Sequence, residues 1–167
     1  MIVRRATRRD VPGSLAPAAQ VEHWFGPMVD DPGFTRAVER NIRRSTALVA
    51  EEPGAGLLGA LLFGGADPVH KVHWPVVSET ARGEGVGRAL MADATRRFVH
   101  GPGTVEVVTF GPDHPGAVTS GARAFYESLG FTPAEPAGPG PEGGSRQVYR
   151  RAVPAPVQRQ PPAPQLP

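Results

Sequence analysis

Three glycines in five residues, Gly83, Gly85 and Gly87, stand between Arg82 and Arg88 in the stretch SETARGEGVGRAL. Glycine at that density weakens any regular element, so the backbone here must turn sharply or be approached closely. An apolar run follows at once, with Val86, Leu90, Met91, Ala94 and Phe98 on one helical face. A glycine-rich turn that opens a helix is an anion site. The first helical N–H groups have no partner, the helix dipole adds about half a positive charge, and missing side chains admit phosphate oxygens. The spacing excludes the commoner phosphate loops. No Lys-Ser or Lys-Thr follows, as a nucleoside-triphosphate loop requires, and G-x-G-x-G in mid-chain is a poor match to the dinucleotide pattern G-x-G-x-x-G. A kinase glycine loop would lie inside a hairpin and need further motifs that are absent.

The elements that must position this loop follow from periodicity. MIVRRA reads as a short strand. Val21, Trp24, Phe25 and Met28 fall at helical spacing in SLAPAAQVEHWFGPM, with Gly26-Pro27 as a stop. Phe34, Ala37, Val38 and Ile42 mark a second amphipathic helix. TALVAEE and LLGALLFGG are strands joined by PGAG as a hairpin, and VHKVHWPVV is another strand. Pro75 within it has no N–H to give, which points to an edge, a bulge or a break in pairing. GTVEVVTF is a strong strand. Ala122, Phe125, Tyr126 and Leu129 follow the pattern of a short helix, with Gly130 at its C-terminal cap. FTPAEP starts a strand that can pair with RQVYRRAV, while residues 133–144 read as a mobile loop. The order β-α-α-β-β-β-α-β-α-β-β predicts an α+β fold with a mixed sheet, neither a βα barrel nor a doubly wound sheet.

Composition narrows the function classes. The chain has 167 residues, enough for one domain with a sizeable core. Net charge is +2, and the arginines of RRATRR and RNIRRS lack the interleaved aromatics of a nucleic-acid platform. No nucleic-acid partner is therefore expected. There is no cysteine, which excludes thiol nucleophiles, disulfides and thiolate metal sites. No apolar run reaches the roughly 20 residues that cross a bilayer, and the first residues lack a signal-like apolar stretch. A cytoplasmic protein with no metal and no membrane partner is expected, as a monomer or homodimer. VPAPVQRQPPAPQLP, at the C-terminal end, has little to bury, so residues 154–167 are expected to be a disordered Pro-rich tail.

Two motifs carry a family resemblance. Arg82-Gly83-Glu84-Gly85-Val86-Gly87 resembles the R/Q-x-x-G-x-G/A loop of the GNAT superfamily of acetyl-CoA-dependent N-acetyltransferases. Phe125-Tyr126-Glu127-Ser128-Leu129-Gly130-Phe131 is similar to the family's second hallmark, F-Y-x-x-x-G-F. Order, separation and element sequence agree, over residues 1–153.

The resemblance implies a cofactor, acetyl-CoA, and an amine acceptor, either a small molecule or a protein amine. It implies that the strand before the loop splays from the next one, with Val76 and Val77 offering backbone to the pantetheine arm. Residues Arg82, Gly83, Glu84, Gly85, Val86, Gly87 and Arg88 would surround the pyrophosphate, and the arginines would add charge there. Thr119 stands where relatives often have an asparagine. Tyr126 would be the general acid: a phenol with a pKa near 10 stays protonated at neutral pH and can hand a proton to the leaving thiolate. Glu79, His73, Glu106 and water are alternatives for the base. With no cysteine and no marked serine, direct attack in a ternary complex is expected. The alternative is a CoA-binding module without transferase activity.

Overall fold

The structure is a computed structural model and describes residues 1–155. The last residues of the proposed tail, from 156 onward, lie outside the described residues. Strands β1 (Ile2–Arg5), β2 (Ala47–Glu52), β3 (Gly56–Ala66), β4 (Val69–Val77), β5 (Gly103–Phe110), β6 (Thr132–Ala137) and β7 (Arg146–Val153) form one sheet. Its order is β1-β2-β3-β4-β5-β7-β6. Every neighbouring pair is antiparallel except β4 and β5, which are parallel and joined through helix α4 (Val86–Phe98). This is the mixed sheet flanked by helices that the pattern predicts.

Strand alternation sends apolar side chains to two layers. On one face Leu61, Phe63, Val72, Val105 and Val107 pack with Leu90 and Met91 of α4 and with Tyr126 of α6 (Ala122–Ser128). On the other face Val49, Ala60 and Val76 pack with Val21 and Met28. Beside them Ala47 and Leu62 meet Val38 of α3 (Pro32–Arg43). Asp31 caps α3, its carboxylate accepting from Gly33 N–H at 2.9 Å, and Pro32 opens the helix where its missing N–H is not needed.

Three sequence expectations need correction. The helix expected across SLAPAAQVEHWFGPM is two, α1 (Val11–Gln20) and α2 (Glu22–Phe25), because Val21 leaves helical geometry with ψ near 2°. Gly26 ends α2 in a left-handed conformation, φ 85°. A short helix α5 (Gly116–Thr119) had no periodic signal. The strand expected to start in FTPAEP and to pair with RQVYRRAV is β6, and it runs to Ala137, so residues 133–137 do not belong to the loop read over 133–144. Pro133 and Pro136 are tolerated there since an edge strand has one side without a ladder partner. The rest of that loop carries its own turn bonds, Gly140 N–H to Gly144 O at 2.9 Å and Gly143 N–H to Gly140 O at 2.9 Å.

Candidate active site

The three loop glycines serve two physical purposes. Gly83 and Gly85 have φ of 81° and 82°, and a Cβ on either would meet open space. They are needed for conformation, not for room. Gly87 is already helical, but a Cβ there would stand 2.9 Å from Phe125 Cζ. It is small so that the second motif can pack on the first. Gly85 caps α4 without any side-chain hydrogen bond, and the first helical bond is Ala89 N–H to Gly85 O at 2.9 Å. The N–H groups ahead of Ala89 in α4 are therefore oriented outward without an intrahelical partner. An open cradle, uncapped N–H groups and two flanking arginines fit a diphosphate ester. Arg82 lies 5.7 Å from the ring centre of Trp24, and Arg88 Nη2 reaches Ser128 Oγ at 3.4 Å.

The sheet splits just upstream. β4 pairs with β5 only from Val69 to Val72, opposite Thr104 to Val107. Beyond that, β4 keeps its register on β3 to Val77, and β5 keeps its register on β7 to Phe110. A bulge marks the parting: Leu62 faces Trp74 and Phe63 faces Val72, so His73 is the extra residue. Ser78 N–H donates to Leu58 O at 2.8 Å. Peptide groups alternate sides along a strand, so Val76 also addresses β3, and a Cβ on Gly59 would lie 2.7 Å from the Val76 carbonyl. Pro75 and Val77 address the gap. The proline is thus accommodated because its missing N–H falls where no strand pairs. Of the two valines read as backbone donors to a ligand, Val77 faces the gap, whereas Val76 contributes through its side chain beneath it.

A cavity of about 980 Å³ fills the split and extends to both faces. Val76, Val77, Arg82, Gly83, Gly85, Val86, Gly87, Arg88 and Tyr126 all line it. Glu84 and Thr119 do not. Thr119 is exposed, and its hydroxyl donates to Pro115 O at 3.1 Å; Ser120 and Gly121 stand at the wall instead.

Tyr126 reaches the cavity from the α4 and α6 face. It is 4% exposed, packed edge-on to Phe125 and Phe131 with centroids at 5.2 and 5.7 Å. The hydroxyl makes no hydrogen bond among the described residues, and no sealed side-chain polar atom is left unpaired there, so it opens to the cavity. Burial pushes the phenol well above its ordinary range, which keeps the proton on it. The motif explains the placement. Gly130, with φ 85°, lets Phe131 N–H return to Tyr126 O at 3.1 Å and Gly130 N–H to Glu127 O at 3.0 Å, the cap that ends α6. Arg123 anchors the same helix on Phe110 O and Gln147 Oε1, both at 2.9 Å, and Tyr149 OH donates to Glu127 at 2.9 Å.

The candidate bases separate by surroundings. Glu79 opens a single 3₁₀ turn, is exposed, and is not in the cavity wall. Glu106 lines the cavity but is held by Arg150 Nε at 2.9 Å. His73 lines the cavity from the face opposite α4, its ring laid over Gly64, which leaves no room for a Cβ there. Desolvation of the ring, with Lys71 and Arg40 nearby, lowers its pKa below the ordinary value of 6.5. His73 is therefore neutral at pH 7. Two further residues went unremarked in the sequence, His114 and Glu142. His114 Nδ1 accepts from Gly116 N–H at 2.8 Å, so Nε2 carries the proton offered to Glu142 at 3.3 Å. No spacing could reveal this pair, since 28 residues separate its members.

Among the described residues no group of three or more His, Asp or Glu could hold a metal ion, and no helix is long and apolar enough to cross a membrane.

A glycine turn opening a helix, a strand pair parted over a cavity and a buried tyrosine at its wall together describe an acyl-CoA transferase fold. Residues 43–133, more than half of the chain, match the sequence profile of the acetyltransferase (GNAT) domain, and the chain belongs to that family of N-acetyltransferase enzymes. No curated protein matches the sequence. Solved structures agree in fold. The ribosomal-protein-alanine N-acetyltransferase of Brucella melitensis superposes with a TM-score of 0.69 at 23% identity, covering 92% of this chain and 100% of that one. The ribosomal-protein-S18-alanine N-acetyltransferase of Escherichia coli does so at 0.64 and 16% identity, covering 95% and 97%. Ard1 of Thermoplasma volcanium reaches 0.70 at 15% identity, covering 91% and 97%.

Proposed function

We propose that residues 1–153 form an acetyl-CoA-dependent N-acetyltransferase domain that works in the cytoplasm by direct transfer in a ternary complex, with Tyr126 as general acid and His73 as the first acceptor of the amine's proton. The observation that carries this reading is that the cavity opens to both faces of the split sheet, with Tyr126 on one face and His73 on the other. Bound acetyl-CoA would supply a thioester, whose carbonyl carbon forms the new C–N bond with the acceptor amine while its C–S bond breaks. Arg82, Arg88 and the uncapped N–H groups of α4 hold the diphosphate. Val77 offers backbone N–H and C=O to the arm, and Pro75 offers a carbonyl only. The acceptor enters as an ammonium and gives one proton to His73, which is neutral at pH 7, directly or through water. A second proton leaves the nitrogen to solvent as the amide forms. The phenol of Tyr126 protects the departing sulfur by giving it a proton, and recovers one from water afterwards.

Tyr126→Phe tests the reading. The variant is expected to bind acetyl-CoA like the wild type in calorimetry and to lose about 10²-fold in kcat, measured by CoA release with an accepted amine. Unchanged kcat removes Tyr126 from the chemistry. Binding without turnover in the wild type itself, across a broad amine panel, would reduce the domain to a CoA-binding module.

A further inference from the structure

The acceptor side of the cavity differs in character from the cofactor side, and its walls are largely apolar. We propose that the acceptor is a compact primary amine carrying an aromatic or equally broad apolar group, seated on the face covered by α1 to α3. This rests on the acetyltransfer reading above. Val108 and Phe25 are 46% and 38% exposed, among the few large apolar side chains left in water, and both line this cavity. Val108 faces away from the layer of Val105 and Val107, by strand alternation, and so looks out on the α1 to α3 side of the split. The bulge at His73 puts Trp74 on that same side, where it meets Phe34 edge-on at 4.9 Å. Trp24 and Pro141 complete the wall. Aromatic faces of this kind take a ring in offset or edge contact and also attract an ammonium.

The charges argue against a polycation. Each carboxylate in the wall already has a partner: Glu106 has Arg150 at 2.9 Å, Glu142 has His114 at 3.3 Å, and Asp31 has Gly33 N–H at 2.9 Å. Arg146, one of the cations in the wall, donates through Nε to Gly138 O at 2.7 Å. Counting Lys71, Arg82, Arg88 and Arg146, the wall carries four cations against three carboxylates, which disfavours a second ammonium. Size argues for a compact molecule. A Cβ on Gly26 would lie 3.9 Å from Pro141, so the end of α2 and the β6–β7 loop meet across one end of the groove. An extended peptide would have to part them.

The test uses the full chain and acetyl-CoA, with CoA release measured for 2-phenylethylamine, spermidine and an alanine-initiated hexapeptide. The kcat/KM for 2-phenylethylamine is expected to exceed that for either of the others by about tenfold or more. Phe25→Ala and Val108→Asn are each expected to lower it by about tenfold while the acetyl-CoA Kd stays within about twofold. Both positions are exposed, so both variants should fold. Spermidine or the peptide as the better substrate, or variants that leave kcat/KM unchanged, would overturn the proposal and leave acetyl transfer intact. Absence of acetyl-CoA binding would instead defeat the reading beneath it.

Discussion

His73 owes its position to one extra residue in a strand. The bulge turns His73 and Trp74, consecutive in sequence, to one side of the sheet, where strict alternation would have separated them. That brings an imidazole of lowered pKa to the mouth of the split. If it takes the proton from the ammonium, kcat should fall as pH drops through a value below 6.5, because protonated His73 has nothing left to accept. His73→Gln should remove that acid limb and lower kcat by about 10²-fold. A limb that persists in the variant would assign it to another group. The alkaline side should stay flat well past pH 9, since Tyr126 is shifted upward and keeps its proton.

At the scale of elements, the loop and the short helix behave as one device. Gly85→Ala should destabilise by about 1–2 kcal/mol, because alanine resists a left-handed backbone, and Gly85→Asn should recover part of the loss in thermal unfolding. Gly87→Ala should act differently. It meets Phe125 rather than strain, so asparagine at 87 brings no recovery, and the displaced ring disturbs Tyr126 beside it. The two motifs were legible in the sequence because each is local: a turn, a helix start, a capped helix end. Element order was legible for the same reason, and β4 and β5 have the bounds that their apolar alternation suggests. What the sequence concealed is what depends on distant partners. The pairing of Glu106 with Arg150, 44 residues on, takes a candidate base out of contention. The strand that FTPAEP starts was legible, but its run on to Ala137, inside the stretch read as a loop, depends on β7. The turn of Val76 toward β3 follows from register, which no periodicity specifies.

Across the whole molecule, stability at the edge of the sheet depends on a carboxylate cluster far from the cavity. Arg4 on β1 bonds Glu51 on β2 at 2.9 and 2.7 Å and Asp10 before α1 at 2.9 Å. The guanidinium, with Thr7 N–H at 2.6 Å, holds the Asp10 carboxyl below its ordinary value. A lowered carboxylate contributes stability above its unfolded pKa of 3.8 and loses it as pH falls through the folded value. Arg4→Met should therefore cost about 2 kcal/mol at pH 7, since Asp10 is left buried with fewer partners. In denaturant titrations the gap to wild type should narrow as pH drops below 4. A gap independent of pH would mean that packing, not charge, is lost.

Pro75 has a further effect. Two parallel strands that begin in register would ordinarily go on pairing, as a zip closes once its first teeth engage. Here the seventh position of the strand has a tooth missing. The imide nitrogen cannot bond to β5, so closing the sheet would leave an acceptor on β5 with no hydrogen to receive. Emptiness is thus written into the chain itself, and the slot stands ready before any ligand arrives. Its remaining peptide groups also favour one direction of entry: a guest lying beside Pro75 can give a hydrogen bond there but never receive one.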